Sequence, residues 1–181
     1  KADLSYAENF LHMLGAEKIT PLMTRIMDAT LVLHGEHTIN ASTFTAMVTS
    51  STLANASQVV ASAIGSLSGP LHGGANEKVV AMLQKIHSKD DIRPWLDETL
   101  KAKNVVWGMG HREYSVKDPR ANILTDMVQE LFDERDGGVT DIFEKAIELE
   151  KACEEKLAHK GVYPNVDFYS GILYREMDIP T

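Results

Sequence analysis

Apolar residues recur at spacings of three and four through nearly the whole chain, and no stretch sustains the strict alternation that a half-buried strand needs. Ile19, Leu22, Met23, Ile26, Met27 and Leu33 define one amphipathic helix, with Thr20 and Pro21 placed as its start and HGEH near its end. From Ser42 to Leu67 the chain is rich in Ala, Ser and Thr around Met47, Leu53, Val59, Val60 and Ile64, a composition that lets helices approach closely. After GPLHGG, the set Val79, Val80, Met82, Leu83 and Ile86 predicts another helix, with SKDD marking its end. Pro94 is the expected start of a short helix, and further helices are predicted over 119–134 and 140–158, separated by Asp136, Gly137 and Gly138. The fold class that follows is all-α. No repeat and no low-complexity segment modifies that reading.

With 181 residues, 44% of them hydrophobic, the chain has material for a sizeable core: one ordinary domain or two small ones. No run approaches the ~18 to 20 apolar residues needed to cross a bilayer, and no charged-then-apolar leader is seen, so a soluble protein is expected. The net charge of −8, with no basic run to offset it, argues against general affinity for nucleic acid or anionic membrane. An anionic substrate would therefore need local positive groups. The single Cys153, in the polar segment ELEKACEEKLAHK, excludes an internal disulfide framework and reads as a small helix residue. A reducing cytoplasm fits, as would an organelle matrix. The chain begins at Lys1 and stops at MDIPT soon after a motif-like segment, and we read it as a piece of a longer protein.

Chemistry concentrates in the punctuation between helices. His12, His87 and His159 lie in helical segments and read as surface or boundary residues. The other four histidines stand beside glycine or at helix ends: His34 and His37 in LHGEHTINAST, His72 in GPLHGGANE, His111 in WGMGHREY. Glycine removes the Cβ that holds ligands away from the backbone, so backbone and imidazole can approach a small molecule together there. The His34–His37 spacing is compatible with two metal ligands on one helical face, but HxxH defines no third ligand. GMGH contains neither a Walker A pattern nor a complete G-x-G-x-x-G after a strand. A more coherent set combines His72 and His111 as donors to carbonyl oxygens, Arg120 of KDPRAN as a bidentate carboxylate ligand, and Asp167 of PNVDFYSG as a base. These are the parts of a carbon–carbon condensation. Taken singly, Asp118 or Asp167 could equally cap a helix and Arg120 could be a surface cation; spacing and composition do not choose.

GPLHGGANE, WGMGHREYSVKDPRA and PNVDFYSGILY, in this order and with LVLHGEHTINASTFTA upstream, closely resemble the citrate synthase family over essentially the whole chain. The resemblance implies a multi-helical citrate-synthase-like fold, with part of the large helical domain over 1–69, the small CoA-binding and catalytic domain over 70–168, and the return into the large domain over 169–181. It implies condensation of acetyl-CoA with oxaloacetate and water to give citrate and CoA, an acyl transfer in which the acyl group becomes alkyl. Residue by residue, Asp167 resembles the base for the acetyl methyl, His72 the donor to the thioester carbonyl, and His111 the polariser of the oxaloacetate ketone. His37 and Arg120 match oxaloacetate ligands, and Trp107, Gly108, Met109 and Gly110 the loop that recognises the CoA adenine. No metal and no separate cofactor is implied, since the CoA thioester is itself a substrate. Nucleic acid and membrane are not expected partners; a homodimer or dimer-based oligomer of the whole protein is.

Ser115 departs from the pattern, because the family commonly carries a basic residue there for a CoA phosphate; Lys117 or Arg112 is the expected replacement. Later family arginines lie beyond Thr181, and this segment alone is expected to be weak or inactive. Two alternatives stay open. A 2-methylcitrate synthase would use propionyl-CoA, and one methylene is worth only ~1 to 3 kcal/mol of discrimination. A non-catalytic helical ligand-binding fragment would use its histidines only to build turns.

Overall fold

The structure, a computed structural model, describes residues 3–35, 38–69, 72–111, 113–135 and 138–179. Among these residues the regular structure is helical, with a single antiparallel bridge between Met109 and Pro164. No helix of the described residues is long and apolar enough to cross a membrane. The chain divides into two compact units, residues 34–75 and residues 1–33 with 76–181.

In the larger unit, α1 (Tyr6–Met13) and α2 (Pro21–Leu33) pack on each other, and α2 meets a later helix, α7 (Pro119–Glu134). Ser5 caps α1 in a reciprocal capping box with Glu8, a start signal that the apolar spacing of this segment does not announce. In the smaller unit, α3 (Ala41–Ser51) and α4 (Ala56–Leu67) form a helical hairpin. The Ala/Ser/Thr-rich stretch is therefore two helices, broken at Thr52–Asn55, where Leu53 adopts φ +61° and Asn55 caps α4 by accepting the Gln58 N–H. Small side chains do meet across this pair: the Thr49 and Ser62 hydroxyls are 2.8 Å apart.

The remaining helices belong to the larger unit: α5 (Ala75–Gln84), α6 (Ile92–Lys101), α7 (Pro119–Glu134), α8 (Asp141–Leu157) and α9 (Val166–Glu176). The predicted α7 and α8 agree with those observed. Two expectations need correction. SKDD does not end α5, which stops at Gln84; Ser88 instead opens a short 3-10 turn, Lys89–Asp91, by hydrogen bonding with Asp91. Nor does Pro94 start α6, which begins at Ile92; proline is accommodated in the first turn because its missing N–H would lack a helical partner there anyway.

Helix α9 is the axis of the larger unit. Phe168, Tyr169, Ile172 and Leu173 are fully buried, and Val166, Ser170, Gly171 and Glu176 are buried with them. A helix buried on most of its circumference needs partners all round, and α7 packs along it. Gly171 permits close approach to α5, since a Cβ there would stand 2.7 Å from the Asn76 carbonyl oxygen. Buried Glu176 is satisfied by Arg135 and by the Thr140 hydroxyl at 3.0 Å. Truncating a side chain such as Phe168 to Ala would cost ~3 to 5 kcal/mol.

Candidate active site

Two motifs that lie more than fifty residues apart in sequence are joined by backbone hydrogen bonds in the larger unit. Gly110 N–H donates to the Tyr163 carbonyl at 2.8 Å, and Asn165 N–H donates to the Gly108 carbonyl at 2.9 Å. The Asn165 side-chain amide donates to the Gly110 carbonyl at 2.9 Å, and Asp118 N–H to the Pro164 carbonyl at 3.2 Å. The loop Trp107–Gly110 is thereby fixed against the entrance to α9. Glycine is required at two places in it. Gly108 has φ +80°, and a Cβ would lie 2.8 Å from both the Phe168 ring and Val79; Gly110 has φ +88° in more open surroundings.

His111 follows this loop directly. Its Nδ1 accepts the backbone N–H of Glu113 at 3.0 Å and of Tyr114 at 3.4 Å, and the Tyr114 ring lies 4.7 Å from its own. A neutral imidazole whose Nδ1 is an acceptor carries its proton on Nε2, so the donor this ring can offer is Nε2–H. Asp167 sits half-buried in the first turn of α9, where the helix end favours a negative side chain. It is not the cap. Asn165 fills that position and accepts the Asp167 N–H at 3.0 Å.

Asp118, by contrast, does cap its helix, and does more. Its carboxylate, fully buried, accepts Arg120 N–H at 2.9 Å, Arg120 Nε at 3.1 Å and Arg120 Nη2 at 2.7 Å. Burial alone would raise this carboxyl, but hydrogen bonds from the Arg120 side chain and backbone outweigh it and hold the group below its usual value, with the Arg120 charge adding an electrostatic pull. Arg120 is therefore not a loose surface cation: its side chain is 13% exposed and its fork is oriented by Asp118, with other donors of the five left for a second acceptor. The sequence signal for Asp118 is the D-P-R run, an N-cap followed by proline at the first helical position.

Trp107 and Met109 are half-buried, and the Lys78 ammonium stands 4.1 Å from the centre of the Trp107 ring, a cation–π contact. Ser115 is exposed and backs onto Gly161. Lys117, one of the two residues expected to replace a basic residue at 115, pairs with the Glu150 carboxylate at 2.5 Å. Arg112, the other candidate, and His37 lie outside the described residues.

His72 belongs to the smaller unit and is described there by itself. Its Nε2 accepts the Ser42 N–H at 3.1 Å, with the Ser42 hydroxyl 2.9 Å from the same nitrogen. The proton of the neutral ring is thus on Nδ1. The turn that presents it is tight: Gly73 N–H donates to the Leu67 carbonyl at 2.9 Å, and a Cβ at Gly73 would lie 2.3 Å from that oxygen. A charged surface cleft bounded by Lys89, Arg93, Glu144 and Glu148 includes none of the predicted site residues.

Comparison with known proteins places the chain in a family. Residues 1–181 match the family described as citrate synthase, C-terminal domain. A citrate synthase of Synechocystis sp. is 52% identical over 177 residues, covering 98% of this chain and 44% of the relative. The crystal structure of citrate synthase from Pyrobaculum aerophilum superposes with a TM-score of 0.92 at 37% identity, over 99% of this chain and 45% of the other. Citrate synthase from Thermoplasma acidophilum, in a ternary complex with carboxymethyl coenzyme A and oxaloacetate, superposes with a TM-score of 0.90 at 34% identity, over 99% of this chain and 47% of the other. The chain spans less than half the length of these relatives.

Proposed function

The chain belongs to the citrate synthase family, and we propose that the protein carrying it condenses acetyl-CoA with oxaloacetate and water to give citrate and CoA. The observation that carries this reading is the pair of fixed imidazole tautomers, each with one nitrogen held by backbone N–H and the proton on the other. Such rings are preorganised neutral donors, which is what charge developing on a carbonyl oxygen requires.

In this reading the Asp167 carboxylate takes a proton from the acetyl methyl. A carboxylate is too weak a base to do so unaided, so His72 Nδ1–H stabilises the negative thioester oxygen as the carbon–hydrogen electron pair becomes the carbon–carbon double bond of an enolate. The enolate carbon then attacks the oxaloacetate ketone: a carbon–carbon bond forms, the ketone π pair moves onto its oxygen, and that oxygen, hydrogen-bonded by His111 Nε2–H, becomes the citryl hydroxyl with the proton that Asp167 removed from the methyl. Arg120, oriented by Asp118, binds a substrate carboxylate, with His37 as a further oxaloacetate ligand. Water finally cleaves the citryl thioester and CoA leaves as the thiol. The Trp107–Gly110 loop contacts the adenine end of CoA. No cofactor beyond the CoA thioester is assigned.

The division into 1–69, 70–168 and 169–181 belongs to the same proposal. So does a homodimer of the whole protein, supported by the apolar side chains Phe44, Met47, Val48, Val60 and Ile64 exposed on α3 and α4. A reducing compartment such as the cytoplasm suits the free Cys153 thiol. The test is CoA release by the whole protein with oxaloacetate and either acetyl-CoA or propionyl-CoA. Preference for propionyl-CoA would reassign it as a 2-methylcitrate synthase; no release, and no thermal shift with the two ligands together, would leave a non-catalytic fragment. The 181-residue chain alone is expected to show a small fraction of the whole protein's turnover.

A further inference from the structure

Glu150 lies in ELEKACEEK, a run that reads as a solvated helix face, yet its side chain is only 16% exposed. Its two oxygens take different partners. Oε1 is 2.5 Å from the Lys117 ammonium, and Oε2 accepts the hydroxyl of Tyr169, which is fully buried. Lys117 also stands 5.6 Å from the Tyr169 ring centre, so the three groups form one cluster. Burial, with the charge of Glu150 adding to it, pushes the Tyr169 phenol well above its ordinary value, so it remains a donor.

The two partners sit on the two arms of the candidate site. Lys117 immediately precedes Asp118, the clamp on Arg120, and ends the segment that begins at His111. Tyr169 is two residues beyond Asp167 on α9. Two residues turn an α-helix by about 200°. A phenol drawn toward α8 therefore directs Asp167 to the opposite side of α9. One carboxylate, on a helix that carries no predicted site residue, thus touches both α9, through Tyr169, and the end of the His111–Arg120 arm, through Lys117.

We propose that Glu150 is a positioning residue for the condensation, fixing Asp167 relative to the His111–Arg120 arm through Tyr169 and Lys117. This rests on the citrate synthase reading above. In the whole protein, Glu150→Gln keeps the volume and removes the charge. The expected result is a kcat lowered about tenfold or more, because small misplacements of reacting groups are costly. KM values for oxaloacetate and acetyl-CoA should stay within about threefold, since each arm still binds its own substrate. Tyr169→Phe and Lys117→Met should each reproduce part of the loss, and Glu150→Gln/Tyr169→Phe should cost no more than Glu150→Gln alone. A role in stability only would lower Tm and leave kcat per folded site unchanged; a folded Glu150→Gln with kcat within twofold of wild type overturns the proposal. If that variant does not fold, the two partner variants decide by the same split. Amide exchange is a second readout that needs no activity: residues 118–121 and 166–169 should both exchange faster in Glu150→Gln. If the wild type performs no condensation, the functional reading falls, and unchanged exchange in both segments separately overturns the role of Glu150.

Discussion

The side-chain oxygen of Asn165 accepts the backbone N–H of Asp167 at 3.0 Å, so the cap of α9 and the carboxylate in its first turn are different residues. The capping function is thus available without Asp167. Asn165→Ala loses both this cap and the amide bond to the Gly110 carbonyl, and should destabilise the protein by about 2 kcal/mol in denaturant unfolding. Asp167→Asn should stay within about 1 kcal/mol of wild type, the range of a single charge at a helix end. In the whole protein it should nevertheless slow deuterium washout from the acyl methyl of a non-condensing CoA thioester by roughly 10²- to 10⁴-fold. Wild-type washout by a folded variant would move proton abstraction to another residue.

Arg120→Leu in the whole protein is expected to weaken oxaloacetate binding by about 2 to 5 kcal/mol and acetyl-CoA binding much less. The substitution also strands the buried Asp118 carboxylate, so stability should fall as well. Calorimetric titration on the folded fraction separates the two effects. Unchanged oxaloacetate affinity would remove Arg120 from the site.

The Asp118–Arg120 pair makes a pH prediction whose direction is determined. The folded carboxyl is held below its unfolded value of about 3.9. The folded state therefore binds fewer protons, and the stabilisation is fully present above about pH 4 and lost as pH falls through the folded value. Asp118→Asn should be less stable than wild type by about 2 kcal/mol at pH 7. That gap should narrow below pH 4, as read from paired thermal melts; a gap constant down to pH 2 would contradict the assignment.

Gly108 and Gly110 share a positive φ but differ in their surroundings, which separates backbone strain from steric conflict. Gly110→Ala meets only Val162, at 3.9 Å, and should cost about 1 to 2 kcal/mol for the left-handed conformation. Gly108→Ala drives a Cβ into the buried Phe168 and Val79, and overpacking should add a further ~1 to 3 kcal/mol. Chemical denaturation of the two variants tests the order.

Cys153 is fully buried, and burial, reinforced by Glu150, pushes its thiol up to about 12. The thiolate is the reactive form, so alkylation at pH 8 should be negligible in the folded protein and rapid in denaturant. Mass spectrometry of the Cys153 peptide after timed iodoacetamide exposure measures this. Rapid labelling without denaturant would contradict the buried placement.

The helical class, the extents of α7 and α8, and the motifs around His72, His111 and Asp167 were all legible in the sequence, because periodicity, capping residues and glycine punctuation are local properties. Even the D-P-R start of α7 could be read in one dimension. Local signals failed where two readings share one residue type: SKDD suits a helix end as well as the turn that precedes α6, and a run of small residues does not announce its break at Thr52–Asn55. The tertiary structure alone decided what each polar group faces. That the Ser42 N–H sets the His72 proton on Nδ1, that Gly108 and Gly110 lock onto Tyr163 and Asn165, and that Lys117 is taken by Glu150 are contacts between residues thirty or more positions apart. No periodicity encodes them, since a hydrogen bond depends on where two distant segments meet, and only the packing within each unit, α3 and α4 in the smaller and the helices around the buried α9 in the larger, determines that.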